Sequence, residues 1–284
     1  MSLSVLNNIA AIRAQNNLSQ TQKSLQSTLT QLSSGSRINS GADDAAGLAV
    51  ADGLHANVAA LNQSARNASD GIGLLQTADG ALSQVTNLLN RAVTLATQAA
   101  NGTLNSSQVS AANQEYQNIL TEVGNIGSTT NFNGNTVFSS SATTIFVSDG
   151  TSSGATAFSD TTGALSTASV GTDAAGNSVD FTASGVATLT ASTAQTVLTS
   201  LTTAIADVAY QRGQLGANIN QLSAAQSVVA SQSENLTSAE SNVRSTDYAS
   251  ATSDLAKFQV LSQTGISALA QANQVQQQVL KLLQ

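Results

Sequence analysis

The sequence predicts a mainly α-helical protein: a long antiparallel coiled-coil rod built from the N- and C-terminal segments, with a β-hairpin and a small β/loop excursion in the middle. Three observations predict this fold. Apolar residues recur at helical spacing at both ends of the 284-residue chain, glycine is scarce there, and five of the six phenylalanines lie between Phe132 and Phe181. Helical periodicity at both ends and β-formers beside turn signals in the middle are typical of a rod with an inserted hairpin.

The first segment predicts a helix that ends near residue 34. Leu18, Leu25 and Leu32 recur every seven residues, and Leu29 fills the adjacent helical slot. The glycines of 35–41 then interrupt the pattern. A thin apolar stripe of this kind cannot stabilise an isolated helix, so the segment needs a packing partner.

The next segment predicts one very long helix and a shorter one. Asp43 and Asp44 mark a helix N-terminus, where negative charge is favoured, and Asn101-Gly102 marks its end. A helix over 43–100 would extend roughly 87 Å at about 1.5 Å per residue. A second helix follows, with an apolar row from Val109 to Ile126.

The middle of the chain predicts β-structure. The stretch 132–138 places Asn133-Gly134 between β-formers, which is a hairpin signal, and 144–147 reads as a strand. Weaker strands are expected at 179–182 and 186–189. The remainder, rich in Ser, Thr, Gly and Ala, is expected to be loop.

The C-terminal part carries the most regular apolar pattern. An unbroken seven-residue repeat predicts a long coiled-coil helix, and its companion row turns polar at Gln226, Ser233 and Glu240. The residues expected to form the rod core are Leu201, Val208, Leu215, Leu222, Val229 and Leu236. The helical pattern continues to the C-terminus. The residues expected to form an assembly seam at the two ends of the chain are Leu18, Leu25, Leu29, Leu32, Leu255, Phe258, Leu261, Ile266, Leu269, Val279 and Leu282.

Composition excludes most site chemistry. The chain has no Cys and one His, His55, which excludes disulfides, thiol nucleophiles and cysteine or histidine-rich metal sites. The net charge of -7 argues against nucleic-acid binding, and no apolar stretch is long enough to span a membrane. The start of the chain lacks the features of a cleaved secretory signal.

Two short patterns could suggest chemistry, and each has a simpler interpretation. The 150–154 stretch fits the G-x-S-x-G nucleophile pattern, but it lies in a loop without a nearby His. Asp173, Asn177 and Asp180 surround a glycine but miss the calcium-loop spacing. We therefore expect no enzyme, no cofactor and no metal.

Long motifs resemble one protein family. The stretches 32–40 (LSSGSRINS), 43–49 (DDAAGLA) and 69–78 (SDGIGLLQTA) are similar to the N-terminal signature of bacterial flagellins, and Phe132-Asn133-Gly134 matches it as well. The tail from 269 to 283 resembles the flagellin C-terminus. The resemblance covers about 3–138 and 190–284.

The resemblance implies a secreted, extracellular subunit of the bacterial flagellum that self-assembles into the motility filament. By analogy, 1–42 with 246–284 would be the inner-tube domain, 43–150 with 190–245 the helical rod, and 151–189 a short variable outer region. It also implies export of the unfolded chain by the flagellar type III apparatus. The implied partners are other copies of the chain, a chaperone on the C-terminal helix, and hook-associated and cap proteins.

A Toll-like innate receptor recognises one face of this family. Arg91, Leu95 and Glu115 match its contact positions, whereas Ala92, Val93 and Thr94 depart from the charged family pattern. The alternative reading of the whole chain is a secreted or surface coiled-coil adhesin or glycan-binding module that uses the Ser/Thr-rich middle.

Overall fold

The computed structural model describes residues 8–148, 156–160 and 162–282. That part is mainly helical, with two small antiparallel sheets that pair β1 with β2 and β3 with β4. In chain order the elements are α1 (Ile9–Ser34), α2 (Ala45–Ala100), α3 (Ser106–Thr129), β1 (Asn131–Phe132), β2 (Asn135–Thr136), β3 (Thr143–Val147), β4 (Thr156–Asp160), α4 (Ala194–Arg244) and α5 (Tyr248–Leu282). The predicted helices and the strand at 144–147 are confirmed.

The chain forms two compact units. The terminal unit comprises residues 1–56 and 235–284, and the central unit comprises residues 57–234. Helices α2 and α4 contribute residues to both. The three domains expected from the sequence refer to layers of an assembly rather than to packing within one chain, so their boundaries stay a prediction.

In the terminal unit, α1 and α5 run antiparallel. Asn8 Nδ2 donates to the Ala272 carbonyl at 3.0 Å. Near the other end of α1, the Gly35 carbonyl accepts a hydrogen bond from the Thr246 amide at 3.1 Å. Gly35 ends α1 in the left-handed conformation, with φ of 69°, and a Cβ there would lie 2.8 Å from Tyr248 Oη. Glycine is therefore required where α1 ends against α5.

The start of α2 follows from two neighbouring carboxylates. Asp44 Oδ1 accepts from the Gly47 amide at 2.8 Å, which satisfies one free amide of the first helical turn. Asp43 accepts from the backbone amides of Asn39 and Ser40. These hydrogen bonds, with Asn39 contributing most, hold the pKa of the Asp43 carboxyl below its usual value.

In the central unit, α2 and α4 are antiparallel neighbours joined by polar pairs. Arg212 Nε donates to Asp79 Oδ1 at 2.7 Å, and Gln226 Nε2 donates to Ser69 Oγ at 2.9 Å. Further along, Ser233 Oγ donates to Asn62 Oδ1 at 3.3 Å. From Arg212 to Ser233 along α4, the partner residues on α2 fall from Asp79 to Asn62, so the two helices run antiparallel. The polar row of α4 thus meets polar groups of α2.

The core of the central unit lies between α2, α3, α4 and the segment 162–193. Tyr116 of α3 is fully buried, and its hydroxyl donates to the Val186 carbonyl at 2.9 Å. Burial raises the pKa of this phenol well above its usual value. A capping box formed by Asn105 and Gln108 starts α3.

Two short hairpins lie against α2. The β1–β2 turn uses Asn133 and Gly134, both with positive φ (51° and 81°), as expected for an Asn-Gly hairpin turn. Strand β3 pairs with β4 from Thr143↔Asp160 to Val147↔Thr156. The side chain of Ile145 on β3 packs directly against Gly71 of α2, where a Cβ would collide with it.

The weaker strands expected at 179–182 and 186–189 are wrong. The first stretch forms only an isolated bridge, Val170↔Val179, and the second forms no strand. Leu189 is fully buried, and its backbone amide donates to Asn113 Oδ1 at 2.7 Å. Since helix side chains satisfy this backbone, the segment needs no strand partner.

Candidate assembly surface

The terminal unit exposes large aliphatic side chains that the described chain does not cover. Val260, which is 64% exposed, is the most open of them. On α1 and α5 the exposed large apolar residues are Ile9, Ile12, Leu29, Tyr248, Val260, Leu261, Ile266 and Val275. Exposed apolar surface concentrated on one helix pair is typical of an interaction site.

The seam residues expected from the sequence divide into three groups. Leu29, Leu261 and Ile266 are exposed. Six others are partly covered: Leu18, Leu25, Leu32, Leu255, Phe258 and Leu269. Leu18 lies against Gly265, where an added Cβ would come within 3.2 Å of Leu18 Cδ1. The side chains of Val279 and Leu282 lie outside the described residues.

The seam expected from the sequence does not include Ile9, Ile12, Val260 or Val275. One signal could have found Val260, because it precedes Leu261 directly. Adjacent residues on a helix point about 100° apart, so both cannot enter the same narrow seam. A pair of this kind implies an apolar surface wider than a two-helix contact.

A polar cluster connects α2, α4 and the α1–α2 loop within the terminal unit. His55 Nδ1 lies 3.3 Å from Glu240 Oε2, and Arg244 Nη1 lies 3.3 Å from Glu240 Oε1 and 3.9 Å from Asp52 Oδ1. The Arg244 carbonyl accepts from the Arg37 amide at 2.6 Å. His55 thus contributes one solvent-exposed contact, to Glu240, in this cluster.

The expected rod-core row lies on one side of α4. Leu201, Val208, Leu215, Leu222 and Val229 are buried, and Leu236, which belongs to the terminal unit, is partly covered. Sequence reasoning missed the Arg212–Asp79 ion pair, which raises the pKa of the guanidinium chiefly through its hydrogen bond. No sequence signal links residues 133 positions apart without knowledge of helix pairing.

The residues of the expected receptor face lie on α2 and α3. Arg91 Nε donates to Glu115 Oε1 at 2.7 Å, which lowers the pKa of the Glu115 carboxyl and raises that of Arg91. Leu95 is only 3% exposed. Arg91 and Glu115 therefore offer a paired charge on the surface, while Leu95 contributes to the core.

The remaining chemical candidates have local structural explanations. Asp173 Oδ1 accepts from the amides of Ala175 and Asn177, and Asp180 Oδ1 accepts from that of Thr182, so both carboxylates close turns. Within 8–148, 156–160 and 162–282 no three His, Cys, Asp or Glu side chains gather as metal ligands. The G-x-S-x-G stretch at 150–154 lies outside the described residues.

The described helices include none whose length and apolar content would let it cross a membrane.

Two sequence models of one family match most of the chain. The bacterial flagellin N-terminal helical region matches residues 5–143, and the bacterial flagellin C-terminal helical region matches residues 198–283. The chain belongs to the flagellins. It is accordingly a structural subunit of the bacterial flagellar filament, an extracellular appendage, and the matches do not favour the adhesin alternative.

Two relatives align with nearly the whole chain. A flagellin of Halalkalibacterium halodurans is 34% identical over 97% of this chain and 98% of its own length. A flagellar filament 33 kDa core protein of Treponema phagedenis is 33% identical over 97% of this chain and 98% of its own length. The crystal structure of Bacillus cereus flagellin is 32% identical, covers 62% of this chain and 94% of its own, and has a TM-score of 0.47.

Proposed function

We propose that this flagellin polymerises through the apolar surface of α1 and α5. The observation that carries the proposal is the exposure of large aliphatic side chains on both helices, such as Val260 and Ile266. Covering a half-exposed aliphatic side chain contributes about 1 kcal/mol. Several such side chains on each subunit would supply a substantial driving force for burial against neighbouring subunits.

Open-ended growth follows if the contacting surfaces of neighbouring subunits differ. Head-to-tail contacts whose rotation does not close produce a helical filament instead of a ring. In this proposal the inner-tube seam consists of the nine described seam residues together with Val279 and Leu282.

The decisive test compares two exposed valines. Val260 lies on α5 of the terminal unit, and Val228, 57% exposed, lies on α4 of the central unit. We expect Val260→Asp to abolish filament formation by the full chain, because it places a charge in an apolar contact. Val228→Asp should leave it intact. Electron microscopy and sedimentation after addition of sulfate, which strengthens apolar burial, give the readout.

Both valines are exposed in the monomer, so both variants should keep the parent's far-ultraviolet circular dichroism. Equal polymerisation by Val260→Asp and the parent would contradict assembly through this surface. If both variants lost filament formation equally, an added charge would block assembly at either position. That result would contradict the proposal that assembly uses the surface of α1 and α5.

We further propose that the chain reaches the filament unfolded, through the flagellar type III apparatus, with a chaperone on α5 and with hook-associated and cap proteins as later partners. The chain has no proline, so folding after export meets no slow prolyl isomerisation. The exposed apolar surface of α5 suits a chaperone that covers it until assembly. If the chaperone covers this surface, a chaperone that blocks polymerisation of the parent chain should fail to bind the Val260→Asp variant.

Recognition by a Toll-like receptor stays a prediction for Arg91, Leu95 and Glu115. Only the paired charges of Arg91 and Glu115 are accessible in the monomer, since Leu95 is buried. If this face is recognised, Arg91→Ala should lower the response of receptor-bearing reporter cells to monomer at least tenfold without changing monomer stability. A parent protein that is silent at high doses would contradict the prediction.

A further inference from the structure

A groove of about 740 Å³ lies on the central unit between α2, the β1–β2 hairpin and strand β3. Asn67, Asp70 and Leu74 of α2 line it. Phe132 of β1 and Phe146 of β3 also line it. Its volume is within the range of about 300–1,000 Å³ that is usual for small-ligand sites.

Packing holds the ring of Phe132, and a hydrogen bond holds the backbone at Phe146. The Phe132 ring rests on Gly73 of α2, where an added Cβ would lie 3.4 Å from the ring. Asn67 Nδ2 donates to the Phe146 carbonyl at 3.0 Å, which ties β3 to α2. The Phe146 ring itself is 49% exposed. The Phe132 ring and the backbone of β3 are therefore held in place before a ligand binds, which lowers the entropic cost of binding.

The polar groups of the groove are neutral except for one carboxylate. Asp70 is exposed, and it makes no hydrogen bond or ion pair with the residues that the structure describes. The remaining polar lining is supplied by amide and hydroxyl side chains of Asn and Thr, and the part of the lining that the structure describes contains no Lys or Arg. The site thus presents two aromatic rings, one free carboxylate and several neutral donors and acceptors.

We propose that this groove binds a neutral saccharide. A pyranose ring has apolar C–H faces that stack on aromatic rings, and it has neighbouring hydroxyls that can donate together to one carboxylate. An anionic ligand would meet Asp70 with no lining cation to offset the repulsion. A wholly apolar ligand would bury the carboxylate and amides without hydrogen bonds, which is costly.

The occupant is a saccharide because neutral hydrogen-bonding groups outnumber the single charge. Among the described residues of the lining, a polycation would find one carboxylate and no further anionic group. This binding function goes beyond the filament-subunit role and is independent of the α1–α5 surface. Its success or failure can therefore be separated from that of assembly.

The test measures saccharide binding by the full-length monomer. Cellotriose and tri-N-acetylchitotriose serve as probes, followed by saturation-transfer nuclear magnetic resonance and isothermal titration calorimetry. We expect at least one probe to bind with a dissociation constant on the order of 1 mM or below, as a shallow, partly preformed site allows. Asp70→Ala and Phe146→Ala should each weaken binding about tenfold or more.

Matched variants elsewhere in the central unit control for general effects. Glu122→Ala removes an exposed carboxylate from α3, and Tyr210→Ala removes an exposed aromatic ring from α4. Both should bind the probe as the parent does. Asp70→Asn provides a second, gentler variant should Asp70→Ala disturb folding, and circular dichroism reports on the fold of each.

Three results would overturn the proposal. The first is no binding of either probe at about 10 mM, well above the expected dissociation constant. The second is binding that the groove and control variants retain equally. The third is no saccharide binding together with impaired polymerisation of Asp70→Asn or Phe146→Ala, which would assign the groove to a second copy of the chain. Polymerisation of the parent, measured in parallel, reports separately on the assembly function.

Discussion

The terminal and central units are built from similar helices, but they differ in how far their large apolar side chains are buried. In the central unit, Leu75, Leu82 and Leu89 of α2 are fully buried, as is Leu201 of α4. In the terminal unit, α1 and α5 leave residues such as Val260 largely exposed. The difference shows that burial of an apolar helix face depends on the number of neighbouring elements that pack against it, and not on the apolar repeat alone.

The number of neighbouring elements around each helix explains this difference in burial. Each helix of the central unit has several neighbours, among α2, α3, α4 and the segment 162–193. In the terminal unit, α1 and α5 cover chiefly each other, and a pair of helices can bury only one stripe of each. Because an amphipathic helix gains most of its stability from packing, the terminal unit is expected to gain stability on assembly.

The largest expected effect tests this contrast directly. Leu215 is 2% exposed in the central unit, whereas Leu261 is 44% exposed in the terminal unit. Leu215→Ala should lower the free energy of unfolding of the monomer by about 2–5 kcal/mol, because it leaves a cavity. Leu261→Ala should change it by less than about 1 kcal/mol but raise the protein concentration needed for polymerisation.

Urea unfolding of the monomer, followed by circular dichroism, measures the first quantity. Sedimentation of filaments measures the second. Equal destabilisation of the monomer by the two substitutions would show that the α1–α5 surface is already buried, and the contrast between the units would be lost.

A second, smaller effect tests how closely the segment 162–193 packs in the central unit. A Cβ on Gly127 would collide with the Leu165 carbonyl oxygen and lie 2.7 Å from its carbonyl carbon. We expect Gly127→Ala to destabilise the monomer by about 1–3 kcal/mol, because backbone must move. Urea unfolding gives the measurement.

The control for this substitution is Gly80→Ala on α2. A Cβ on Gly80 meets no atom within 4 Å, so alanine should stabilise the helix by about 0.5–1 kcal/mol. If Gly127→Ala stabilised the monomer, the segment 162–193 would not pack against α3 at this position.

The smallest effect concerns a polar group inside the central unit. Asp207 of α4 is 9% exposed and lies beneath Gly171, where a Cβ would come within 2.6 Å of Asp207 Cβ. Burial, and next the nearby charge of Asp173, raise the pKa of the Asp207 carboxyl above its usual value. The charged form is therefore disfavoured in the folded chain.

The sign of the pH dependence follows from this raised pKa. The ionised Asp207 carboxylate lowers the stability of the folded chain at pH values above its folded-state pKa. This destabilisation disappears at pH values below its unfolded-state pKa. Asp207→Asn should stabilise the monomer by about 1 kcal/mol at neutral pH, the scale for a buried polar group without a partner. The difference should shrink as the pH falls toward 4, the ordinary range for aspartate.

Thermal unfolding of parent and variant across pH measures this difference. Glu122→Gln, at an exposed carboxylate, should change stability by no more than about 0.5 kcal/mol at any pH. A variant less stable than the parent at neutral pH would show that the Asp207 carboxylate is stabilised in the folded chain.

Much of the helical architecture could be predicted from local pattern. The seven-residue row from Leu201 to Val229 indicated both the α4 helix and its buried side, and Asn133-Gly134 indicated the hairpin turn. The strands expected at 179–182 and 186–189 failed, because β-forming residues also serve to fill a helical core. Side chains of α3 satisfy the backbone of 186–189, and loop backbone at Val170 and Thr167 bonds to that of 179–182. No local pattern reveals these partners.

For the candidate assembly surface, the sequence indicated that α1 and α5 carry apolar stripes but not how wide the exposed surface is. Ile9, Ile12, Val260 and Val275 lie outside the predicted seam. Their exposure depends on how α1 and α5 face each other, which is a property of the pair.

The sequence by itself determined the helices, their caps and the turn residues, because these depend on interactions between residues close in the chain. Only the tertiary structure decided which apolar stripes are covered, which polar groups meet, and where a groove forms. The pairing of Asp79 with Arg212, the burial of Asp207 beneath Gly171 and the groove beside Asp70 all join residues from separate elements. Such contacts depend on the three-dimensional packing of helices, whose distances are not contained in any local repeat.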